Sequence, residues 1–331
     1  ALIEEAADLF PSSLVQRAKQ VAVLDISDEA KLVELQGLIS KHLNSLDNDQ
    51  QLRIQTEWSN RLSRYIKKHK RDLEKTAIVK INLSDFSISK NGVVPGYPLN
   101  QFALDEYNGF LRIAVTVGER LPFGWWWGSQ RDSTNDVYVL NTDFTIAGKI
   151  QDLGVTERIY AARFIEDRGY LVTFRQTDPF YVLDLSDPFY PTLNGELKIP
   201  GYSSFLQPIG PHKILGIGRE NWQVKAAIFD VANPSQPVEK NRYLFQDSWS
   251  EVLSNHRAFL LDEKHKVFFL PGGNGGYVMS YDTDKLSLVA TSAGYAVKRA
   301  IYIDDYLYII GENQIGVFDE TNWKKIKEFG L

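Results

Sequence analysis

The stretch RIYAARFIEDRGYLVTFRQTDPFYVLDLSDP, residues 158–188, decides the fold of this chain. It contains three runs rich in Val, Ile, Leu, Phe and Tyr, separated by the turn residues of DRG and QTDP. Such runs are typical of short β-strands joined by tight turns. The second run, YLVTF, has a counterpart in YLYII at 306–310. The third run, YVLDL, carries Asp near its end, and Asp or Asn recurs in the runs at 138–142, 228–231, 278–282 and 316–320.

These runs define a repeated unit of four strands. Complete units cover residues 101–154, 158–201, 202–247, 254–294 and 296–331, and a partial unit of two strands covers 76–100. Repeats of about 40 to 50 residues with four strands each are typical of β-propeller blades and not of a β-sandwich. We therefore predict a mainly β chain in which residues 76–331 form a β-propeller of four-stranded antiparallel blades, about five and a half of them.

Residues 1–75 have a different pattern, with good helix formers, one glycine at Gly37 and one proline at Pro11. Helix caps and apolar spacing predict helices at 11–24, 28–43 and 49–69, the second after an N-cap at Ser27 and the third after Asp47 or Asn48. In the third helix Trp58, Leu62 and Ile66 share one face, which we expect to be buried. The opposite face could meet an acidic partner, although we favour a solvated helix face. Its basic residues are Arg61, Arg64, Lys67, Lys68, Lys70 and Arg71.

We interpret the helices as an insertion inside an early blade. The two strands at 76–83 and 86–89 look like the third and fourth strands of that blade, so its first two strands should lie upstream of the helices. We therefore expect the upstream part of the same protein to complete the propeller. The chain starts at Ala1, and its single methionine is Met279, so it does not begin at an initiator methionine.

The composition excludes several classes of protein. With 44% apolar and 24% charged residues the chain has the composition of a globular protein. The absence of cysteine excludes disulfides, thiol catalysis and zinc sites built on cysteine. A net charge of -5 argues against a nucleic-acid partner. No apolar run reaches the roughly 18 residues of a membrane span, so we predict no such span in this chain.

Three long strings carry a family resemblance: PGYPLNQFALDEYNGFLRIAVT at 95–116, ERIYAARFIEDRGYLVTFRQTDPFYVLDLSDP at 157–188 and GELKIPGYSSFLQPIG at 195–210. They resemble the family of secreted prokaryotic proteins with a C-terminal β-propeller domain, a family without an established activity. The similarity runs from about 76 to 331, and the helical part resembles a variable insertion of that family. The resemblance implies an archaeal or bacterial protein that is extracellular or at the cell surface. It implies no reaction and no catalytic residues.

The candidate binding residues lie on one face of the predicted propeller. The loops between second and third strands lie on the same face as the connections between blades, and the helical insertion should stand there as an arm. This face should present Trp125, Trp126, Trp127, Arg175, Arg219, Trp222, Tyr97, Tyr202, Trp249 and Tyr295. Aromatic groups with a few polar neighbours suit stacking on sugar rings or clamping of an extended peptide.

Structural roles remain open for the same residues. The Trp triplet at 125–127 could pack against the helical insertion, form a ligand platform or contact another protein. Tyr97, Tyr202 and Tyr295 each follow a glycine, and each pair could be a tight turn whose tyrosine packs as a wedge between adjacent blades.

Catalytic and metal-binding patterns are weak. The five histidines lack a metal-binding spacing, and a lone His256 is typical of a hydrogen-bonded core residue. Asp105 and Glu106 are adjacent in a strand and therefore point to opposite faces, unlike an acid and base pair. Asp282 and Asp284 could ligate calcium, although a hairpin turn explains them as well. We predict no catalytic residue, no metal and no cofactor.

We favour a non-catalytic extracytoplasmic binding or structural domain that engages a protein, a peptide or a cell-surface glycan. The alternative is a secreted hydrolase that acts on carbohydrate or peptide at the mouth of the propeller channel. An enzyme needs titratable groups that converge on a pocket. A cluster of Asp105, Arg163 and His256 around a deep pocket would therefore favour the hydrolase.

Overall fold

The computed structural model describes residues 2–119, 133–174 and 178–331. The described residues fall into two compact units, a helical unit at 2–74 and a strand unit from 75 onward. In these ranges no helix is long and apolar enough to cross a lipid bilayer. It stays a prediction that the helical unit lies on the loop face, the face with the second-to-third-strand loops and the blade connections.

The helical unit contains the three predicted helices and one short helix before them. Ser27 Oγ accepts a hydrogen bond from the Ala30 backbone N–H at 3.2 Å, and Asp47 Oδ1 accepts one from the Gln50 N–H at 2.8 Å. These side chains satisfy N–H groups that have no partner inside their helices. The helices are α1 (Leu2–Glu5), α2 (Ser12–Ala22), α3 (Asp28–Leu43) and α4 (Asn48–Leu73).

One apolar stripe of α4 forms much of the core of this unit. Trp58 and Leu62 are buried, Ile66 is half-buried, and the Trp58 ring meets the Phe10 ring edge-on at 5.3 Å. The predicted stripe is therefore confirmed. The prediction that the whole basic run faces outward is wrong at Lys70, which is 8% exposed. Lys70 follows Leu62 and Ile66 at spacings of four, which place it on the buried stripe.

The described strands form five four-stranded antiparallel sheets and one two-stranded sheet, each ordered as in the chain. The two-stranded sheet is β1 (Lys75–Ile81) and β2 (Ile88–Pro95). The first blade is β3 (Leu104–Tyr107), β4 (Phe110–Val117), β5 (Thr134–Leu140) and β6 (Ile146–Leu153). The second is β7 (Arg158–Ile165), β8 (Arg168–Phe174), β9 (Asp178–Asp184) and β10 (Thr192–Ile199).

The remaining three blades follow the same order. The third is β11 (Tyr202–Gly210), β12 (Lys213–Glu220), β13 (Gln223–Asp230) and β14 (Val238–Leu244). The fourth is β15 (Leu260–Asp262), β16 (Val267–Gly272), β17 (Gly275–Ser280) and β18 (Ser287–Ala293). The fifth is β19 (Val297–Ile303), β20 (Tyr306–Gly311), β21 (Gln314–Asp319) and β22 (Lys324–Gly330). It stays a prediction that upstream sequence supplies two more strands beside β1 and β2.

The core of the strand unit lies between neighbouring blades. First strands of successive blades contact one another, as β7 contacts β11 and β15 contacts β19, so the first strand is the innermost. Apolar side chains of the middle strands fill the space between blades. Phe180 of β9 stacks on Phe229 of β13, for example, with ring centroids 4.7 Å apart. The predicted fold class, mainly β with propeller-type blades, is confirmed.

The recurring Asp at the end of the third strand forms an Asx turn. Asp184 Oδ1 accepts a hydrogen bond from the backbone N–H two residues later at 3.0 Å, Asp230 does the same at 3.0 Å and Asp319 at 2.9 Å. Each of these turns leads into the fourth strand, and it lies on the face of the strand unit opposite to the loop face. The repeat in the sequence therefore has a direct backbone function.

Glycines in two outer strands pack against the proline-containing turns of the following blade. A Cβ atom at Gly148 of β6 would overlap the Pro188 carbonyl oxygen and lie 2.6 Å from Pro191 Cδ. At Gly195 of β10 the Cβ would overlap the carbonyl oxygen of Pro234. Both positions therefore require a residue without a side chain.

Candidate functional site

Three aromatic rings join the second and third blades on the loop face, the face that carries the second-to-third-strand loops and the blade connections. The ring of Tyr160 lies 5.4 Å from Phe174 and 4.8 Å from Tyr202, and Phe174 lies 5.1 Å from Tyr202. All three side chains are half-buried. They form an apolar platform with one surface toward solvent.

Arg219 and Trp222 extend this platform outward. Tyr202 is paired with Arg219 in the β11–β12 register, and the Arg219 guanidinium lies 5.6 Å from the centroid of the Trp222 ring. The Trp222 side chain is 81% exposed. We call Tyr160, Phe174, Tyr202, Arg219 and Trp222 the aromatic rim.

Trp222 occupies an unfavourable backbone conformation. It follows Asn221 in the two-residue turn between β12 and β13, where φ is 46° at Asn221 and 69° at Trp222. This turn type favours Asn-Gly, because the second position is left-handed. A tryptophan there costs about 1 kcal/mol or more relative to glycine. Its exposure shows that little of this cost is recovered by packing.

A polar network links the aromatic rim to the first blade. Arg158 Nη2 donates to the Tyr160 hydroxyl at 2.9 Å, and its Nη1 donates to Glu119 Oε1 at 3.1 Å. The Tyr97 hydroxyl donates to the other oxygen of Glu119. Tyr97 is thus connected to the aromatic rim through Glu119 and Arg158.

Two other predicted binding residues, Tyr295 and Trp249, lie in the connections between later blades. The Tyr295 hydroxyl contacts Ser292 Oγ at 2.7 Å and donates to the Ile309 carbonyl at 3.1 Å, so it ties the fourth blade to the fifth. This geometry matches the structural role of a wedge. Trp249 is half exposed in the connection before the fourth blade. Trp125, Trp126, Trp127 and Arg175 lie outside the described residues.

The strand unit contains a cavity of about 470 Å³. Its walls come from the innermost strands and the blade connections, and they include Phe102, Asn255, His256, Arg257 and Arg299. The edge of Phe102 meets the His256 ring at 4.9 Å. The cavity wall therefore includes aromatic and cationic groups among small polar and aliphatic ones.

Asp105, Arg163 and His256 do not converge on this cavity. Arg112 donates its Nε–H to Asp105 Oδ2 at 3.0 Å. The Arg163 guanidinium lies 4.7 Å from the centroid of Phe102, and burial lowers its pKa while the charge of Asp105 opposes that shift. The described lining includes His256 but neither Asp105 nor Arg163. The arrangement that would have favoured the hydrolase is not formed.

A separate group of possible metal ligands lies in the fourth and fifth blades. Asp262, His265 and Glu320 each offer one ligand atom, and these atoms lie within 4.8 Å of one another. His265 Nδ1 is 2.6 Å from Asp262 Oδ2 and 3.8 Å from Glu320 Oε2. The sequence pattern did not reveal this group, because its members come from two different repeats.

Comparison with known proteins decides the family. Residues 8–323 match the family described as "Beta propeller domain". This chain belongs to the beta propeller domain family. An uncharacterized protein of Archaeoglobus fulgidus is 49% identical over 99% of this chain and 51% of its own length. An uncharacterized protein of Methanocaldococcus jannaschii is 38% identical over 99% of this chain and 52% of its own length. The chain thus spans about half the length of both relatives.

Two solved structures of other proteins share part of the chain path. BamB from Moraxella catarrhalis is 12% identical with a TM-score of 0.44, over 72% of this chain and 67% of its own. A chain of the mitotic checkpoint complex is 12% identical with a TM-score of 0.42, over 69% of this chain and 62% of its own. At this level of identity, neither structure indicates a ligand for this member of the beta propeller domain family.

Proposed function

We propose that this chain is a non-catalytic binding domain that holds an extended peptide segment of a partner protein across the aromatic rim. The observation that carries the proposal is Trp222. This side chain is 81% exposed and occupies a left-handed turn position that favours glycine. A residue that weakens the fold and stays in solvent is explained by contact with a ligand.

The chemistry of the aromatic rim suits a peptide with aromatic and acidic side chains. Tyr160, Phe174 and Tyr202 offer ring faces and edges, against which apolar and aromatic groups pack. Arg219 presents a planar guanidinium beside them, which pairs well with carboxylates. Aromatic residues and arginine are also the residue types that dominate binding energy at protein interfaces.

The cavity in the strand unit supports the same ligand. Arg257 is exposed at its wall, and Arg299 reaches it while paired to Glu251 at 2.9 Å. Cationic groups around a cavity of about 470 Å³ favour an acidic side chain of the bound segment. Asp105, which is held by Arg112 outside the cavity lining, gives no support to acid–base catalysis there.

The proposed location is outside the cytoplasm. It rests on the resemblance of residues 95–116, 157–188 and 195–210 to secreted prokaryotic proteins. We expect a protease added to intact cells that make the full-length protein to digest the propeller. Complete protection of the propeller in intact cells, with digestion after lysis, would contradict this location.

A random peptide library displayed on phage tests the binding proposal. The immobilised 331-residue chain should enrich peptides that contain aromatic and acidic residues. The Trp222→Ala variant should bind the enriched peptides about tenfold or more weakly. Tyr190→Ala is a matched control, because Tyr190 is 78% exposed in the turn between β9 and β10 on the opposite face. This control should bind as the unchanged chain does.

Two outcomes would contradict the proposal. Equal peptide affinity of Trp222→Ala and the unchanged chain would show that the aromatic rim is not the binding surface. Alternatively, the chain could enrich no peptide but retain sugars on a glycan array, with a loss of binding in Trp222→Ala. That result would replace the peptide by a glycan that stacks on the indole.

A further inference from the structure

A buried carboxylate in the fifth blade accepts no hydrogen bond from the part of the chain that the structure describes. The side chain of Glu320 is 0% exposed, and neither of its carboxylate oxygens accepts a hydrogen bond from the described residues. A buried carboxylate without a partner is strongly unfavourable, because its charge has lost the stabilisation by water. The site therefore requires a compensating positive charge or a proton.

Glu320 faces residues of the preceding blade. Asp262 ends β15, and His265 lies in the turn before β16, whereas Glu320 directly follows β21. The backbone N–H of Glu320 donates to the Asp305 carbonyl at 2.9 Å, which fixes the start of its turn. Three carboxylates, those of Asp262, Asp305 and Glu320, therefore surround one imidazole.

The two nitrogens of His265 each face a carboxylate. Nε2 is 3.3 Å from Asp305 Oδ1, and Nδ1 is 2.6 Å from Asp262 Oδ2. A neutral imidazole has one N–H, so its other nitrogen would present a lone pair to a carboxylate oxygen. A second proton on His265 removes this conflict for Asp262, but the Glu320 carboxylate then still lacks a hydrogen bond from the described residues unless it takes up a proton of its own. A metal ion bound to Nδ1 would separate this nitrogen from the Asp262 carboxylate and would also supply a positive charge beside Glu320.

We propose that Asp262, His265 and Glu320 bind a divalent transition-metal ion, with Zn²⁺ as the preferred ion. His265 would bind it through Nδ1 and donate Nε2–H to Asp305, as metal-bound histidines commonly do to a neighbouring carboxylate. One imidazole and two carboxylates suit zinc, whereas calcium prefers six to eight oxygen ligands. The remaining coordination positions would hold water or a ligand from solution.

The distances between the three ligand atoms suit a zinc ion once the Asp262 carboxylate and the His265 ring move slightly apart. Ligand atoms of a tetrahedral zinc site lie about 3.4 Å apart. The distance between His265 Nδ1 and Glu320 Oε2 is 3.8 Å, close to that value. The distance between His265 Nδ1 and Asp262 Oδ2 is 2.6 Å and would open by about 1 Å as the ion enters. Such an ion would link the fourth blade to the fifth.

Metal titration of the chelator-treated chain tests this proposal. We expect calorimetry at pH 7.5 to show one Zn²⁺ bound per chain at micromolar concentrations, with a rise in melting temperature and much weaker binding of Ca²⁺. Glu320→Gln should abolish both effects. Asp305→Asn, which changes a half-exposed side chain, should weaken Zn²⁺ binding about 10- to 100-fold. Asp304→Asn is the matched control, because Asp304 is an exposed neighbour outside the group, and it should bind as the unchanged chain does.

The melting temperature without metal gives an independent readout. Glu320→Gln removes a buried acid, so the metal-free variant should be at least as stable as the metal-free unchanged chain at pH 7.5. A folded Glu320→Gln that has lost the zinc-dependent rise supports the site. Absence of saturable Zn²⁺ binding by the unchanged chain would overturn it. Equal zinc affinity of Glu320→Gln, Asp305→Asn and the unchanged chain would also overturn it, since the ion would then lie elsewhere.

Discussion

Gly195 of the second blade packs directly against the carbonyl oxygen of Pro234 in the third blade. An added Cβ would overlap that oxygen and lie 3.0 Å from the Cδ of Pro237. We therefore expect Gly195→Ala to lower the free energy of unfolding by about 1 to 3 kcal/mol, because the turn must move away from the outer strand. Urea unfolding at neutral pH measures this difference.

Gly330 provides the control for that substitution. It also lies in an outer strand, β22, and no atom lies within 4 Å of an added Cβ. Gly330→Ala should change the free energy of unfolding by no more than about 0.5 kcal/mol. Equal effects of the two substitutions would show that contact with the proline turn is not the cause.

The ion pair between Lys213 and Asp230 predicts a dependence of stability on pH. The Lys213 ammonium group, 2.8 Å from Asp230 Oδ2, lowers the pKa of this carboxyl from 3.8 to about 2. The resulting stabilisation is complete above pH 3.8 and is lost as the pH falls through 2. Asp230→Asn should therefore cost about 2 kcal/mol at neutral pH and progressively less in acid.

Urea unfolding of both proteins between neutral pH and pH 2 checks this dependence. Urea is uncharged and does not screen the ion pair. The side-chain oxygen of the introduced asparagine would still accept the Ala232 N–H, so the turn is preserved and the substitution tests the ion pairs of Asp230 with Lys213 and Lys240. A difference in stability that stays constant down to pH 2 would contradict the assignment.

The hydroxyl of Tyr295 has a structural role that can be separated from binding. Tyr295→Phe removes its contacts with Ser292 Oγ and the Ile309 carbonyl, both of which connect neighbouring blades. We expect a loss of about 1 to 2 kcal/mol, since Ser292 is buried. Thermal unfolding measures the loss, with Tyr190→Phe as the exposed control. A stable Tyr295→Phe that no longer binds the enriched peptides would instead place Tyr295 in the binding surface.

Trp58 should be the largest single contributor to the core of the helical unit. Trp58→Ala removes a buried ring that packs against Phe10, at a cost of about 3 to 5 kcal/mol. Hydrogen exchange of the α4 amides should accelerate strongly in this variant. Leu52→Ala, on the exposed side of the same helix, should leave exchange nearly unchanged. Equal exchange in the two variants would contradict the buried stripe.

Most of the fold is predictable because its signals are local. Ser27 marks the start of α3 as predicted, and Asp or Asn marks the end of the third strands. The end of α4 at Leu73 is not predictable from periodicity, since the apolar stripe fades after His69 without a glycine or proline to stop the helix. The helix at 2–5 is too short to show any period.

The site is predictable only in part, because contacts between blades are not encoded in local spacing. Tyr202, Arg219 and Trp222 could be placed together, since the register of one hairpin and one turn relates them. Tyr160 and Phe174 join them through the packing of two blades. Asp262 and Glu320 are distant in sequence, and only the arrangement of successive blades brings them near one imidazole.

The Asx turns at Asp184, Asp230 and Asp319 make one face of the second, third and fifth blades less tolerant of inserted residues than the loop face. A residue inserted after Asp184 would break the hydrogen bond to Ser186 and shift β10, which would displace Gly195 from beneath its proline turn. A longer loop between β12 and β13 would disturb no such contact. Loops such as the one between β12 and β13 can therefore lengthen and diversify at little cost to the scaffold, whereas an insertion after Asp184 is selected against before any ligand is involved.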